Sequence, residues 1–304
     1  MKKIDLNEIK RTLKITDYPV QLIIEAIGIC NLSCSICPYP KLKREKGTMS
    51  DKLYRKIIDE ISVKSPEGTY LWFAFMGEPT LLGKKLFEMI KYAKDKGIKH
   101  TCLNTNGNLM SREISEWIIY SGLDQIYFSV DAFTENIYKK VRNGGDYHKV
   151  KDGILLLLKE IKTKKLDKPE VIVQFIITED NAGEEEDFKK FWLSRGATVK
   201  IRRRLGWGGE WENKELNIPQ AQRDMPCPWL VRQMIILWDG RVAQCDADYE
   251  GLYCQGNINE QTIYEVWNGE LKEKRERHCS NNFDFKPCDQ CKDWQVGLSE
   301  IYRP

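Results

Sequence analysis

The sequence predicts an α/β fold: a partial (β/α)6 barrel followed by a small C-terminal cysteine-rich domain. Two observations carry this. From residue 20 to about 205, short β-prone apolar runs alternate with helix-length amphipathic segments, a pattern that argues for a parallel sheet with helices outside. Beyond that stretch the alternation stops and cysteines become frequent. About six strand–helix units fit, fewer than the eight of a closed TIM barrel.

The elements follow in order. Residues 1–19 form a charged lead-in with Ile4, Leu6, Ile9 and Leu13 as apolar positions. Strands are expected at 20–27, 70–76, 98–104, 124–130, 171–177 and 197–203. Helices are expected at about 50–62, 83–96, 111–121, 133–142, 147–164 and 184–195. Residues 206–220, rich in Gly, Trp and Asn, read as a linker, and 221–304 as the second domain. Within the latter, Asp239-Gly240 lies between the β-prone runs 234–238 and 241–244. Asp-Gly in that setting predicts a hairpin.

Composition excludes several classes. Charged residues are 31% and hydrophobic residues 41%, which describes a globular chain rather than a disordered or membrane one. The net charge of +3 implies no nucleic-acid partner. The opening MKKIDLNEIK has no apolar core, and the longest clean apolar run is Ile154 to Leu158. No secretory signal, membrane span or membrane partner is expected, and the cytoplasm is the expected compartment. Ten cysteines in a reducing compartment read first as metal ligands rather than disulfides. All but Cys102, which reads as core packing, fall between Cys30 and Cys37 or between Cys227 and Cys291.

Cys30, Cys34 and Cys37 share one short loop after the first strand. Soft thiolates suit cluster iron, and three of them hold three irons of a 4Fe–4S cube. The fourth iron then stays open for a small molecule, as a catalytic zinc keeps one position free. The alternative is zinc, although no second CxxC or His pair lies nearby. The C-x3-C-x2-C spacing after a first strand resembles the radical S-adenosylmethionine (SAM) superfamily, in which an aromatic such as Tyr39 packs near the cluster. Met76-Gly77-Glu78-Pro79 closes the second strand and resembles that family's GGEP motif, with Met for the first Gly. Asn104-Thr105-Asn106-Gly107 resembles its TNG turn. Ser129-Val130-Asp131-Ala132 resembles its S-L-D-G. By this resemblance, Met76 and Gly77 backbone groups and the Glu78 carboxylate bind the SAM amino group, with Asn104 and Asn106 nearby. Ser129 contacts SAM and Arg142 pairs with its carboxylate. The hits fall in order at strand C-termini, where parallel α/β folds place their sites.

In the second group, Cys227 is followed by twelve residues, Gly240, four residues and Cys245, and later by Cys288-Asp-Gln-Cys291. These cysteines could equally hold a structural zinc. The pattern resembles the twitch form of the SPASM extension of radical SAM enzymes, which implies an auxiliary 4Fe–4S cluster on Cys227, Cys245, Cys288 and Cys291. Cys254 is packing, a spare ligand or a hydrogen-atom donor of the kind some twitch-bearing epimerases use. Arg202, Arg204 and Trp207 are candidate substrate contacts, or solvent-facing arginines of a strand end. His100, His148 and His278 read as structural or exposed.

The resemblance implies two 4Fe–4S clusters, SAM and a flavodoxin- or ferredoxin-type electron donor. The implied reaction is hydrogen-atom abstraction by a 5′-deoxyadenosyl radical from a small polar, sugar-like substrate, giving dehydrogenation or epimerisation. Modification of ribosomal peptides, or a non-catalytic zinc or iron–sulfur protein, are the alternatives.

Overall fold

A computed structural model describes residues 10, 13–212, 216, 218–296 and 299–304. Ile4, Leu6 and Ile9 of the lead-in lie outside the described residues. The six expected strands are present: β1 Gln21–Ile24, β2 Tyr70–Phe73, β3 His100–Thr105, β4 Gln125–Ser129, β5 Glu170–Ile177 and β6 Thr198–Arg203. They pair in parallel, each with the next in sequence. Helices α1 Asp51–Lys64, α2 Lys84–Asp95, α3 Arg112–Ser121, α4 Glu135–Val141, α5 Tyr147–Thr163 and α6 Glu185–Leu193 provide the crossovers.

Local chemistry sets the helix starts. Ser50, Ser111 and Asp146 each accept a hydrogen bond from the backbone N–H three residues on, which satisfies an otherwise orphan donor. Strand alternation then splits the sheet into two faces. The outward residues, such as Leu22, Ile24, Leu71, Phe73, Leu103 and Val173, pack against the helices as one large core. The inward residues differ in kind. Gln21, Trp72, Asn104, Gln174, Lys200 and Arg202 face the barrel interior, while Cys102 packs there with Tyr127 and Ile172. Hydrophobic cohesion therefore sits outside the strands, and the polar interior is left for chemistry.

The hairpin forms as β7 Gln233–Ile236 and β8 Val242–Ala243, turned by Gly240 at φ 92°. Its placement is the main departure from the expected organisation. β7 pairs in parallel with β1, and β9 Glu300–Tyr302 pairs antiparallel with β6. The sheet runs β8-β7-β1-β2-β3-β4-β5-β6-β9, so residues after the barrel build both of its edges. Short helices α7 Pro228–Arg232, α8 Ile263–Asn268 and α9 Glu270–Cys279 complete this region. Residues 206–208, at the start of the expected linker, are anchored rather than loose: Asp293 accepts hydrogen bonds from Gly206 N at 2.6 Å and Gly208 N at 3.0 Å. Among the described residues, no helix is long and apolar enough to cross a membrane.

A buried ion pair of the barrel region sits where the second region meets it. Glu25, just after β1, is fully buried, and Arg44 grips both its carboxylate oxygens. Arg44 Nε also donates to Tyr249 O at 2.7 Å. Arg44→Met removes one partner and leaves a buried carboxylate uncompensated. Stability should fall by about 3–5 kcal/mol, measured by denaturant unfolding of the anaerobic protein. A loss below about 1 kcal/mol would show that this pair does not hold the region together.

Candidate active site

The strand C-termini converge on one cavity of about 140 Å³. Cys30, Cys34 and Cys37 line it, with Tyr39, Met76, Gly77, Glu78, Asn104, Asn106, Ser129 and Arg142. The sequence-predicted residues of the first group thus meet in one place. Their loop is pinned at several points. Cys30 N donates to Tyr39 Oη at 2.8 Å. Trp207 Nε1 donates to Ile36 O at 3.3 Å, and Asn106 Nδ2 to Asn31 Oδ1 at 2.8 Å.

Gly77 is required by space. A Cβ there would stand 1.8 Å from Ile27 O, so the end of β2 rests directly on the backbone leading into the cysteine loop. Glu78 follows, and its N–H donates to Ile29 O at 2.9 Å. Its carboxylate lines the cavity but is already engaged by the chain. Oε1 accepts from Thr80 N and Oγ1 and from Thr105 Oγ1, at 2.6–3.1 Å. Oε2 accepts from Asn106 N at 2.7 Å. Burial pushes this carboxyl up, against those hydrogen bonds.

Arg142 is similarly committed. It forms a buried ion pair with Asp131, and its Nη1 lies 3.5 Å from Cys34 Sγ. Asp131 in turn accepts from Ile176 N at 2.6 Å and sits at φ 59°. Phe75 at φ 118° and Trp207 at φ 50° are also left-handed. Among the described residues, two of the five non-glycine residues in that region, Phe75 and Trp207, thus line the cavities, and a third, Asp131, pairs with the cavity-lining Arg142, the clustering expected where structure is held for function.

A second, larger cavity of about 370 Å³ occupies the barrel interior and shares Phe75, Met76, Asn104, Gln174, Arg202 and Trp207 with the first. Arg202 and Trp207 are therefore inside the site. Arg204 is not: it lies over the Trp211 ring and donates to Glu212 O at 3.0 Å. Cys254 lines neither cavity. Its Sγ donates to Gly251 O at 3.2 Å and packs with Ile23, Leu237 and Ala243, and burial raises it to about 11.

Cys227, Cys245, Cys288 and Cys291 are buried and close enough to perturb one another. Burial, then the neighbouring sulfurs, raises the Cys245 thiol well above its usual value. Asp293 N donates to Cys291 Sγ at 3.4 Å, and Gln244 Nε2 to Cys288 Sγ at 3.6 Å. Arg223 lies near all four sulfurs. Soft donors, no disulfide, a nearby cation and N–H groups aimed at sulfur fit an iron–sulfur cluster at both places. Among the described residues, no three His, Cys or acidic side chains close on a single-ion site.

Sequence reasoning missed three residues here. Lys200, Gln174 and Asp246 line the inner cavity; the first two are inward positions of β5 and β6, a readable signal once the strands are in register. His278, expected to be structural or exposed, is fully buried and accepts from Cys227 N at 3.3 Å. Burial, with Arg223 beside it, pushes it down to about 3 and keeps it neutral.

Comparison with known proteins agrees with this geometry. Residues 24–178 match the radical SAM superfamily, and 227–293 match the SPASM iron–sulfur cluster-binding domain. The chain belongs to the radical SAM superfamily. It is an enzyme of that superfamily carrying a SPASM domain, and it binds SAM, a 4Fe–4S cluster and auxiliary iron–sulfur. It is 23% identical to a tungsten-containing aldehyde ferredoxin oxidoreductase cofactor-modifying protein of Pyrococcus furiosus, covering 89% of this chain and 86% of that one. It spans about half the length of other curated relatives that it matches. Its fold is similar to that of BtrN solved with AdoMet and 2-DOIA, at TM-score 0.64 and 19% identity, covering 93% and 96% of the two chains. It is also similar to SuiB of Streptococcus suis bound to precursor peptide SuiA, at TM-score 0.68 and 14% identity, covering 94% and 72%.

Two measurements check the site. Three plus four ligand cysteines imply about eight irons per chain, and Ala at Cys30, Cys34 and Cys37 should leave about four; zinc without sulfide in an anaerobic preparation would refute the assignment. Arg142→Met strands Asp131, so unfolding stability should drop by about 3–5 kcal/mol. A variant of unchanged stability would show that Arg142 serves only a ligand.

Proposed function

We propose that this chain is a radical SAM dehydrogenase acting on a small polar, sugar-like molecule. The observation that carries the reading is the 370 Å³ barrel chamber, which shares walls with the thiol-lined cavity and is bordered by Pro228 and Asp246, neighbours of two auxiliary cysteines. That volume suits a small ligand.

When bound, SAM and the two clusters supply a 5′-deoxyadenosyl radical that takes hydrogen from an unactivated carbon, and a sink for the electron then left on the substrate. Cys30, Cys34 and Cys37 would hold the first cluster, and Cys227, Cys245, Cys288 and Cys291 the second. Met76, Gly77, Asn104, Asn106 and Ser129 wall the space for SAM. Glu78 and Arg142 shape that space through their bonds to Thr80, Thr105, Asn106 and Asp131. Asp246 is the one carboxylate among the described residues lining the chamber, and its buried Oδ2 has no partner there. It stands to accept the proton that oxidation of a hydroxyl releases. A flavodoxin- or ferredoxin-type protein is the fitting electron donor, and ten free thiols fit the reducing cytoplasm.

Cys254 supports dehydrogenation over epimerisation, because its thiol lies outside the chamber wall. The SuiB likeness favours a second reading, peptide modification. Anaerobic turnover with SAM and dithionite, against glycosides and peptides, separates them. The expected product is a ketone. Asp246→Asn should cut its rate by about 10²–10⁴-fold with both clusters retained. Cys254→Ala should form ketone normally. Deuterium from solvent at a product carbon, lost in Cys254→Ala, would identify an epimerase instead, and turnover of peptides alone would overturn the small-molecule reading.

A further inference from the structure

The barrel chamber has an unbalanced charge. Lys200 and Arg202 stand two residues apart on β6, so both project into the interior. Among the described residues neither makes an ion pair. Lys200 lies 5.0 Å over the Tyr127 ring, and the buried Nε of Arg202 has no hydrogen-bond partner. Among the described residues of the wall the one acid is Asp246. Two further buried polar atoms of the same wall lack partners, Trp72 Nε1 and Gln233 Oε1.

Burying adjacent like charges with no ion pair of their own is costly, and Asp246 is one charge against two. Nothing in the packing asks for it: the opposite face of β6 carries Val199 and Ile201, which already supply the apolar contact. Burial, then the charge of Arg202, pushes Lys200 down to about 8. SAM does not supply that anion for Lys200, which lines only the inner chamber.

We infer that the substrate carries an oxyanion, a carboxylate or a phosphate, held in the barrel by Lys200 and Arg202, with hydroxyl or amide groups facing Trp72 Nε1 and Gln233 Oε1. The inference rests on reading the chamber as the substrate site. An Arg supplies a planar fork and a Lys a compact point charge, a pairing that suits a terminal oxyanion.

The test is calorimetric titration of the anaerobic, SAM-loaded holoenzyme with glucose 6-phosphate, glucuronate and glucose. One of the two anionic sugars should bind at least about tenfold more tightly than glucose, with the advantage shrinking as salt rises. Which anion binds better identifies phosphate or carboxylate. Lys200→Met should abolish the preference and Lys200→Arg should keep it, with iron content and the cluster absorbance certifying that both variants fold. Equal binding of all three sugars, binding of none at millimolar concentration, or a preference that survives Lys200→Met overturns the inference. Failure of the radical SAM reading shows separately, as wild-type protein that does not consume SAM under dithionite.

Discussion

Three thiols must be presented at one point by a loop that has no secondary structure of its own to hold it. The constraint that solves this is the direct seating of the β2 end on the backbone before the loop, where Gly77 meets Ile27 O. No side chain fits between them, so the two strand ends cannot drift. Glu78 then converts this contact into a network, because its carboxylate gathers Thr80, Thr105 and Asn106 at the end of β3. Asn106 returns to Asn31 in the cysteine loop and closes the circuit. Pre-organisation of this kind means that the entropy of ordering the loop is met during folding rather than on binding.

The same logic extends to the second region. Its strands do not pack beside the barrel but continue its sheet, with β7 on β1 and β9 on β6. Asp293 joins Cys291 to the glycine-rich 206–208 turn, and Trp207 on that turn reaches Ile36 between two cysteines of the first loop. Distance between the two thiol groups is therefore set by hydrogen bonds and a shared sheet, not by a tether. For any electron traffic between cluster sites and substrate, a fixed distance is the property that matters.

What the sequence made legible was local. Cysteine spacings, the Asp239-Gly240 turn and strand–helix alternation are each written within a few residues, and all three reappear in the fold. The misses were non-local. Gly208 and Gly209 resemble linker residues until Asp293, far along the chain, is seen to accept from the turn; their positive φ lets the turn form at all. Arg142 reads as a ligand contact, and no local pattern announces the Asp131 partner that also holds it. The hairpin announces itself through Asp239-Gly240, but nothing in those residues says that Gln233 will meet Gln21 at 2.6 Å across a parallel pairing. Lys200 and Gln174 look like ordinary polar strand residues because inward and outward are defined only by barrel closure.

Pairing separates the buried arginines into those that build and those that wait. Arg44 is held by two oxygens of Glu25 and by Tyr249 O, and it belongs to the scaffold. Arg142 is half committed: Asp131 takes one nitrogen, Cys34 Sγ lies beside another, and Nε has no partner. Its charge serves both the backbone turn after β4 and the sulfur of the cluster loop. Arg202 makes no ion pair among the described residues, although Asp131 and Asp246 act on it from further away. An unpaired buried charge costs several kcal/mol and a paired one much less, which is the physical ground for inferring that the substrate completes the last arrangement. The end point of the progression is the chamber, which Arg202 lines.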